Sequence, residues 1–233
     1  MIILGFFLLG GIVVTLVRYY LQNLATQIQQ EIYQSYVDLF PDNAPQVCPE
    51  NSRLMPIKCA GFWLYFLVGA ILFGLNAYYF INPMQALFWL TSGVLLFLIA
   101  KIDGHYQFIS VTHCQCLMAL GVLGAYFQFM PISLEQSLQS LLIGFGAFYL
   151  IFYLARCYYQ QDALGRGDYW LMGALSGFHP WQQLPYLVFV ACCAGLLFAG
   201  WKAIKREKEV YLPFAPFLVI GQIVVLIIEH FCL

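Results

Sequence analysis

The sequence predicts an all-α, polytopic membrane bundle of about eight transmembrane helices, and three observations carry that prediction. The 233 residues are 62% hydrophobic and only 9% charged, far from the balance of a soluble domain. The apolar residues fall in continuous runs instead of alternating, which excludes a membrane β-barrel. Every Lys and Arg can also be threaded onto one side of those runs. Little sequence is left for a folded domain outside the bilayer, and a net charge of −1 supplies no basic field for a nucleic-acid partner.

A helix crosses the hydrocarbon layer with about 17 to 25 apolar residues. The first such run, 1–17, ends at Arg18 and lacks both a basic start and a small-residue cleavage site, so it reads as an anchor and not as a signal peptide. Residues 18–60 form the one long polar loop: Gln22 to Gln34 has helical character, and Pro41-Asp42-Asn43-Ala44-Pro45 should break it. Further runs follow at 61–81, 85–101, 111–130 and 137–157. The stretch 169–178 is short and punctuated by glycine, which is tolerated where backbone is buried in protein or lines a cavity. Runs at 184–200 and 213–231 complete the set. Residues 1–60 are thus an anchor helix with a loop, and 61–233 a transmembrane core.

Basic residues accumulate in cytoplasmic loops. Eight crossings with the N-terminus outside, 169–178 necessarily counted among them, place Arg18, Arg53, Lys58, Lys101, Arg156, Arg166, Lys202, Lys205, Arg206 and Lys208 together on the cytoplasmic side. The opposite connections, 82–85, 131–136 and 179–183, contain no basic residue. Asp103 and Asp168 then both lie at the cytoplasmic membrane face.

Those two aspartates are the candidate chemistry. An ionisable group at membrane depth is a functional-site hypothesis by default. Two carboxylates close together in a poorly hydrated pocket cannot both ionise readily, so they share a proton and supply one general base and one general acid. Gly165 and Gly167 remove side chains that would obstruct an extended substrate and permit the turn that aims Asp168. Residue type alone leaves a plainer role open, with Asp168 as an N-cap, Arg166 as its ion-pair partner and Asp103 as a solvated helix end.

The segment Leu164-Gly165-Arg166-Gly167-Asp168-Tyr169-Trp170-Leu171-Met172-Gly173-Ala174-Leu175-Ser176-Gly177 resembles the G-x-G-D segment of type IV prepilin peptidases, membrane aspartic peptidases of the GxGD class. Tyr211-Leu212-Pro213-Phe214-Ala215-Pro216-Phe217-Leu218 resembles the late I-P-F-G-P-F-L segment of that family. Leu184-Pro185 matches a Leu-Pro before a span, and Asp103 fits the first catalytic aspartate. The resemblance runs from about Lys101 to the C-terminus. It implies an aspartic endopeptidase with Asp103 and Asp168 catalytic, Gly165, Gly167 and Pro213 shaping the substrate approach, and no metal or other cofactor. It further implies a bacterial inner membrane location, lipid contact, and substrates that are prepilin-like proteins with a basic leader before an apolar helix, serving pilus, competence or type II secretion assembly.

Four positions depart from the family pattern: Ser110-Val111 stands for Pro-Asp, Trp170 for Lys and Ala215 for Gly. The family's cytoplasmic loop often carries two C-x-x-C pairs alongside a methyltransferase activity. Here only Cys48 and Cys59 echo them, so neither zinc nor methyl transfer is expected. Two other classes remain beside the peptidase: a catalytically silent scaffold that binds pilin-like helices, and a small transporter with Asp103 and Asp168 as a proton relay. Among the remaining polar residues, His113-Cys114-Gln115-Cys116 reads as packing, because its cysteines diverge on a helix. His105 and Asp162 read as solvated, and Glu229 as interfacial.

Overall fold

The computed structural model describes residues 2–40, 54–160, 165–205 and 212–232. Among them are eight α-helices: α1 (Ile2–Leu39), α2 (Phe62–Tyr79), α3 (Pro83–Tyr106), α4 (Val111–Tyr126), α5 (Leu134–Tyr159), α6 (Arg166–Ser176), α7 (Leu184–Ile204) and α8 (Ala215–Cys232), with a 3₁₀ turn at Trp181–Gln183. Five helices are long and apolar enough to cross a membrane: α1, α2, α3, α5, and α7 with its preceding turn. The protein is a multi-pass helical membrane bundle. Its outward faces carry large aliphatic side chains such as Leu142, Leu196 and Leu197, as a lipid solvent requires and water would not.

Local sequence sets the ends of these helices. Helix α1 does not stop at Arg18 but continues through the Gln-rich stretch to Leu39, two residues before Pro41. Its 38 residues rise about 57 Å, nearly twice a hydrocarbon core, so much of what reads as polar loop is its extension. Helix α5 starts in a capping box, in which Gln136 N–H donates to Ser133 Oγ (3.2 Å) and Ser133 N–H donates to Gln136 Oε1 (3.1 Å); the exchange satisfies two otherwise free donors. Gln160 closes it in the left-handed region at φ 55°. Pro185 sits in the first turn of α7, where its missing N–H costs nothing.

The chain divides into two compact units, Met1–Ala86 and Leu87–Leu233. In the first, α1 and α2 pack antiparallel through small residues. A side chain at Gly10 would meet Phe73 and the Gly69 carbonyl, and one at Gly69 would meet the Gly10 carbonyl. Close backbone approach of this kind drives helix pairing in lipid, where hydrophobicity does not. Arg18 Nε donates to the Ala60 carbonyl at 2.9 Å and ties the chain before α2 to α1.

The second unit is built around α6. Residues Leu171 to Ser176 of this 11-residue helix are all buried, and it packs against α4, α5 and α8. Helix α6 rises only about 16 Å, which explains the short apolar run: its neighbours cover it, and it needs no lipid-spanning length of its own. Gly173 seats on Phe145 and Met118, and Gly121 faces Gly177 and Phe178. The α5–α6 contact is also polar, with Ser137 Oγ donating to the Gly177 carbonyl at 2.8 Å.

Candidate active site

Both predicted carboxylates are buried, Asp103 at 4% exposure and Asp168 at 7%. Asp103 occupies the last turn of α3. That helix is closed by Gln107, a non-glycine residue at φ 52° whose N–H donates to the Asp103 carbonyl at 2.8 Å. The side chain of Asp103 points across to α8, where the Ala215 N–H donates to Oδ2 at 3.0 Å. The late motif explains why that donor is available. The first N–H groups of a helix have no intrahelical partner; Pro216 has none, and those of Phe217 and Leu218 go to the Phe214 carbonyl. In this turn the Ala215 N–H is the one left to donate, and it meets a carboxylate at the positive end of the helix dipole.

Asp168 is held differently. It is the third residue of α6, with Gly165 as the N-cap, so the expectation that Asp168 is itself a cap is corrected. Its Oδ2 accepts the Gly165 N–H at 3.1 Å, and its own N–H donates to the Gly165 carbonyl at 3.0 Å. This is the carboxylate half of a capping box. Asp168 lies at the start of α6, outside the five long spanning helices. Burial and then the negative charge of Asp103 push its carboxyl up to about 6, opposed by the Gly165 hydrogen bond. The charge of Asp103 therefore reaches Asp168, although the two are far apart in sequence.

The glycines serve packing more than backbone freedom. No described glycine has positive φ, so the turn before Asp168 uses no backbone conformation that requires glycine at 165 or 167. A side chain at Gly167 would collide with Ile109, in the link between α3 and α4. One at Gly165 would press on Asp168 Oδ2 at 3.0 Å. The 107–110 link thus ends α3 just after one aspartate and seats the N-terminal turn of α6 that carries the other. Pro213 is half-buried two residues before Ala215, and Pro216 passes 3.8 Å from where a side chain at Gly104 would be.

Trp170, the residue that stands for Lys, stacks edge-on against Phe145 with ring centroids 5.0 Å apart, beside Tyr169. Cys114 is buried and Cys116 exposed, so they point apart. His105 is exposed, with its ring against Tyr106. Asp162, Cys48, Arg53, Arg206 and Lys208 lie outside the described residues. A second polar pair escapes sequence reading: Glu229 meets His179 Nδ1 at 3.1 Å, and His179 is fully buried. Proximity to the C-terminus is therefore not a sufficient account of Glu229. Because α6 and α8 both begin at the aspartates, this pair ties their far ends together.

Two carboxylates distant in sequence are thus buried in a helical membrane bundle, each accepting a backbone N–H. The type IV leader peptidase family matches residues 89–200. A prepilin leader peptidase/N-methyltransferase of Haemophilus influenzae is 35% identical over 99% of both chains. A type 4 prepilin-like proteins leader peptide-processing enzyme of Escherichia coli is 30% identical over 55% of this chain and 46% of its own. Leader peptidase HopD of Salmonella typhimurium is 36% identical over 40% of this chain and 61% of its own. No solved structure matches the chain significantly. The chain belongs to the type IV leader peptidase family.

Proposed function

We propose that this protein removes the N-terminal leader of type IV prepilin-like proteins, with Asp103 and Asp168 as its catalytic pair. What supports the reading is that both carboxylates are buried and that each accepts a backbone N–H, Asp103 from α8 and Asp168 from the start of α6. With a water between them, the ionised carboxylate takes a proton from the attacking water while the protonated one donates to the carbonyl oxygen of the scissile amide. The tetrahedral intermediate collapses as the functions exchange, and the leaving amine takes the proton. Gly165 leaves room beside the Asp168 carboxylate, Gly167 seats that turn against Ile109, and Pro213 shapes the chain that delivers α8.

Within this reading the substrate keeps its apolar helix in the bilayer while its basic leader reaches the aqueous edge. Residues 61–233 form the peptidase core and 1–60 an anchor helix with a cytoplasmic loop. The site opens at the cytoplasmic face of a bacterial inner membrane, which places all ten basic residues on one side, and the outer faces of the helices contact lipid. A cofactor-free pair accounts for hydrolysis. The test is incubation of the purified protein in detergent with a panel of prepilins, read by leader release. Cleavage after the leader glycine by the parent, lost in Asp103→Asn and Asp168→Asn, is the expected result. A scaffold would bind the same substrates uncut, and a proton-coupled transporter would show gradient-driven uptake.

A further inference from the structure

We infer that the backbone N–H of Ala215, presented by the N-terminus of α8, is the positioning donor that orients Asp103 and keeps it as the ionised base of the pair, leaving the proton on Asp168. This inference rests on the catalytic reading of the two aspartates. Three observations lead to it. The contact joins residues 112 apart in sequence and is buried, so it is tertiary structure made for this carboxylate and not a local turn. The first turn of α8 satisfies its other donors internally, so Ala215 N–H has no competing acceptor within the helix. Ala215 itself is fully buried, and in a site shielded from water a hydrogen bond to a charged group is among the strong ones.

The corresponding donor to Asp168 comes from Gly165, in its own helix turn and at an exposed residue. That contact holds the carboxylate by helix geometry alone. The two members of the pair are therefore not equivalent: one is fixed by the far end of the chain, the other by its nearest neighbours. The charge of Asp103 acts on Asp168 of α6, and Asp168 in turn acts on Cys114 of α4. Lys101 and His105 on α3 and Arg166 on α6 are exposed, and Ala215 to Leu218 of α8 include no titratable side chain. The late motif thus acts through its backbone. This also explains why Ala215 can replace the family's glycine, since either residue offers the same N–H.

The test deletes that hydrogen. Replacing Ala215 with lactic acid, through an ester linkage in the backbone, removes the N–H and leaves the methyl group in place. Ala215→Pro does the same genetically, since proline is tolerated at the first position of a helix and the residue before it, outside the helix, can adopt the extended backbone proline demands. Both variants are assayed on a prepilin beside Asp103→Asn. Loss of one charge-assisted hydrogen bond should lower kcat roughly 10- to 100-fold with KM nearly unchanged. The acid limb of the pH–rate profile should move to higher pH, because the anion has lost a stabilising donor.

A lactate variant with parental kcat and an unmoved acid limb overturns the inference, provided Asp103→Asn is inactive. If Asp103→Asn still cuts, the catalytic reading itself has failed. A proline variant that misfolds while the lactate variant cuts normally also counts against the donor.

Discussion

Asp168→Asn should make the protein more stable while abolishing its activity, and only above a defined pH. In the folded chain burial and the charge of Asp103 push the Asp168 carboxyl from its ordinary 3.8 up to about 6. The folded state therefore holds this proton more tightly than the unfolded chain does. The contribution to stability is fully present below pH 4 and is lost as pH rises through 6. Each pH unit of altered affinity is worth about 1.4 kcal/mol, so carrying the charge at pH 8 costs on the order of 3 kcal/mol. Asparagine is neutral throughout, and its Oδ1 still accepts the Gly165 N–H, so the substitution removes the charge and keeps the contact. Unfolding midpoints in detergent, variant against parent, should coincide below pH 4, separate as pH rises to about 6 and keep that gap to pH 8 in favour of the variant. A variant equally stable with the parent at pH 8, or less stable, refutes the burial and charge argument for this site.

Gly167→Ala should destabilise by about 1–3 kcal/mol through overpacking against Ile109, whereas Gly146→Ala, with open space around it on α5, should stabilise by up to about 1 kcal/mol through helix propensity; paired denaturation curves check the opposite signs. His179→Ala removes the partner of Glu229 and should lower stability by about 1.5–3 kcal/mol with leader cleavage retained, since the pair lies at the far ends of α6 and α8 from the aspartates. A thermal melt run beside the cleavage assay separates the two effects. With S-adenosylmethionine added to the cleavage reaction, the missing cysteine pairs predict a new N-terminus without the mass of a methyl group, measured by mass spectrometry of the processed product.

Much of the architecture was legible because lipid imposes one rule on every segment. Continuous apolar runs located the eight described helices, and Pro41 marked where the helical character after Arg18 should end. What misled was treating polarity as the end of a helix: α1 continues past Arg18 because nothing before Pro41 breaks it. Residue type and motif singled out two aspartates that the fold buries, but the packing reasons for the glycines were not legible. A missing side chain looks the same in sequence whether it serves a turn or the passage of Ile109. The Ala215 donor was invisible for a related reason, since a backbone N–H leaves no mark on residue identity; only the order Phe214-Ala215-Pro216, which leaves one N–H without an intrahelical acceptor, hinted at it. The His179–Glu229 pair joins loop and helix end across 50 positions and carries no periodic signal.

The central claim is that Asp103 and Asp168 act as one catalytic unit on a prepilin leader. Leader release by Asp103→Asn, Asp168→Asn and the double variant tests it most directly, because residues that work together do not lose activity additively. The account predicts that all three release leader at the same residual rate, roughly 10²–10⁴-fold below the parent. A single variant that cuts at the parental rate would contradict it.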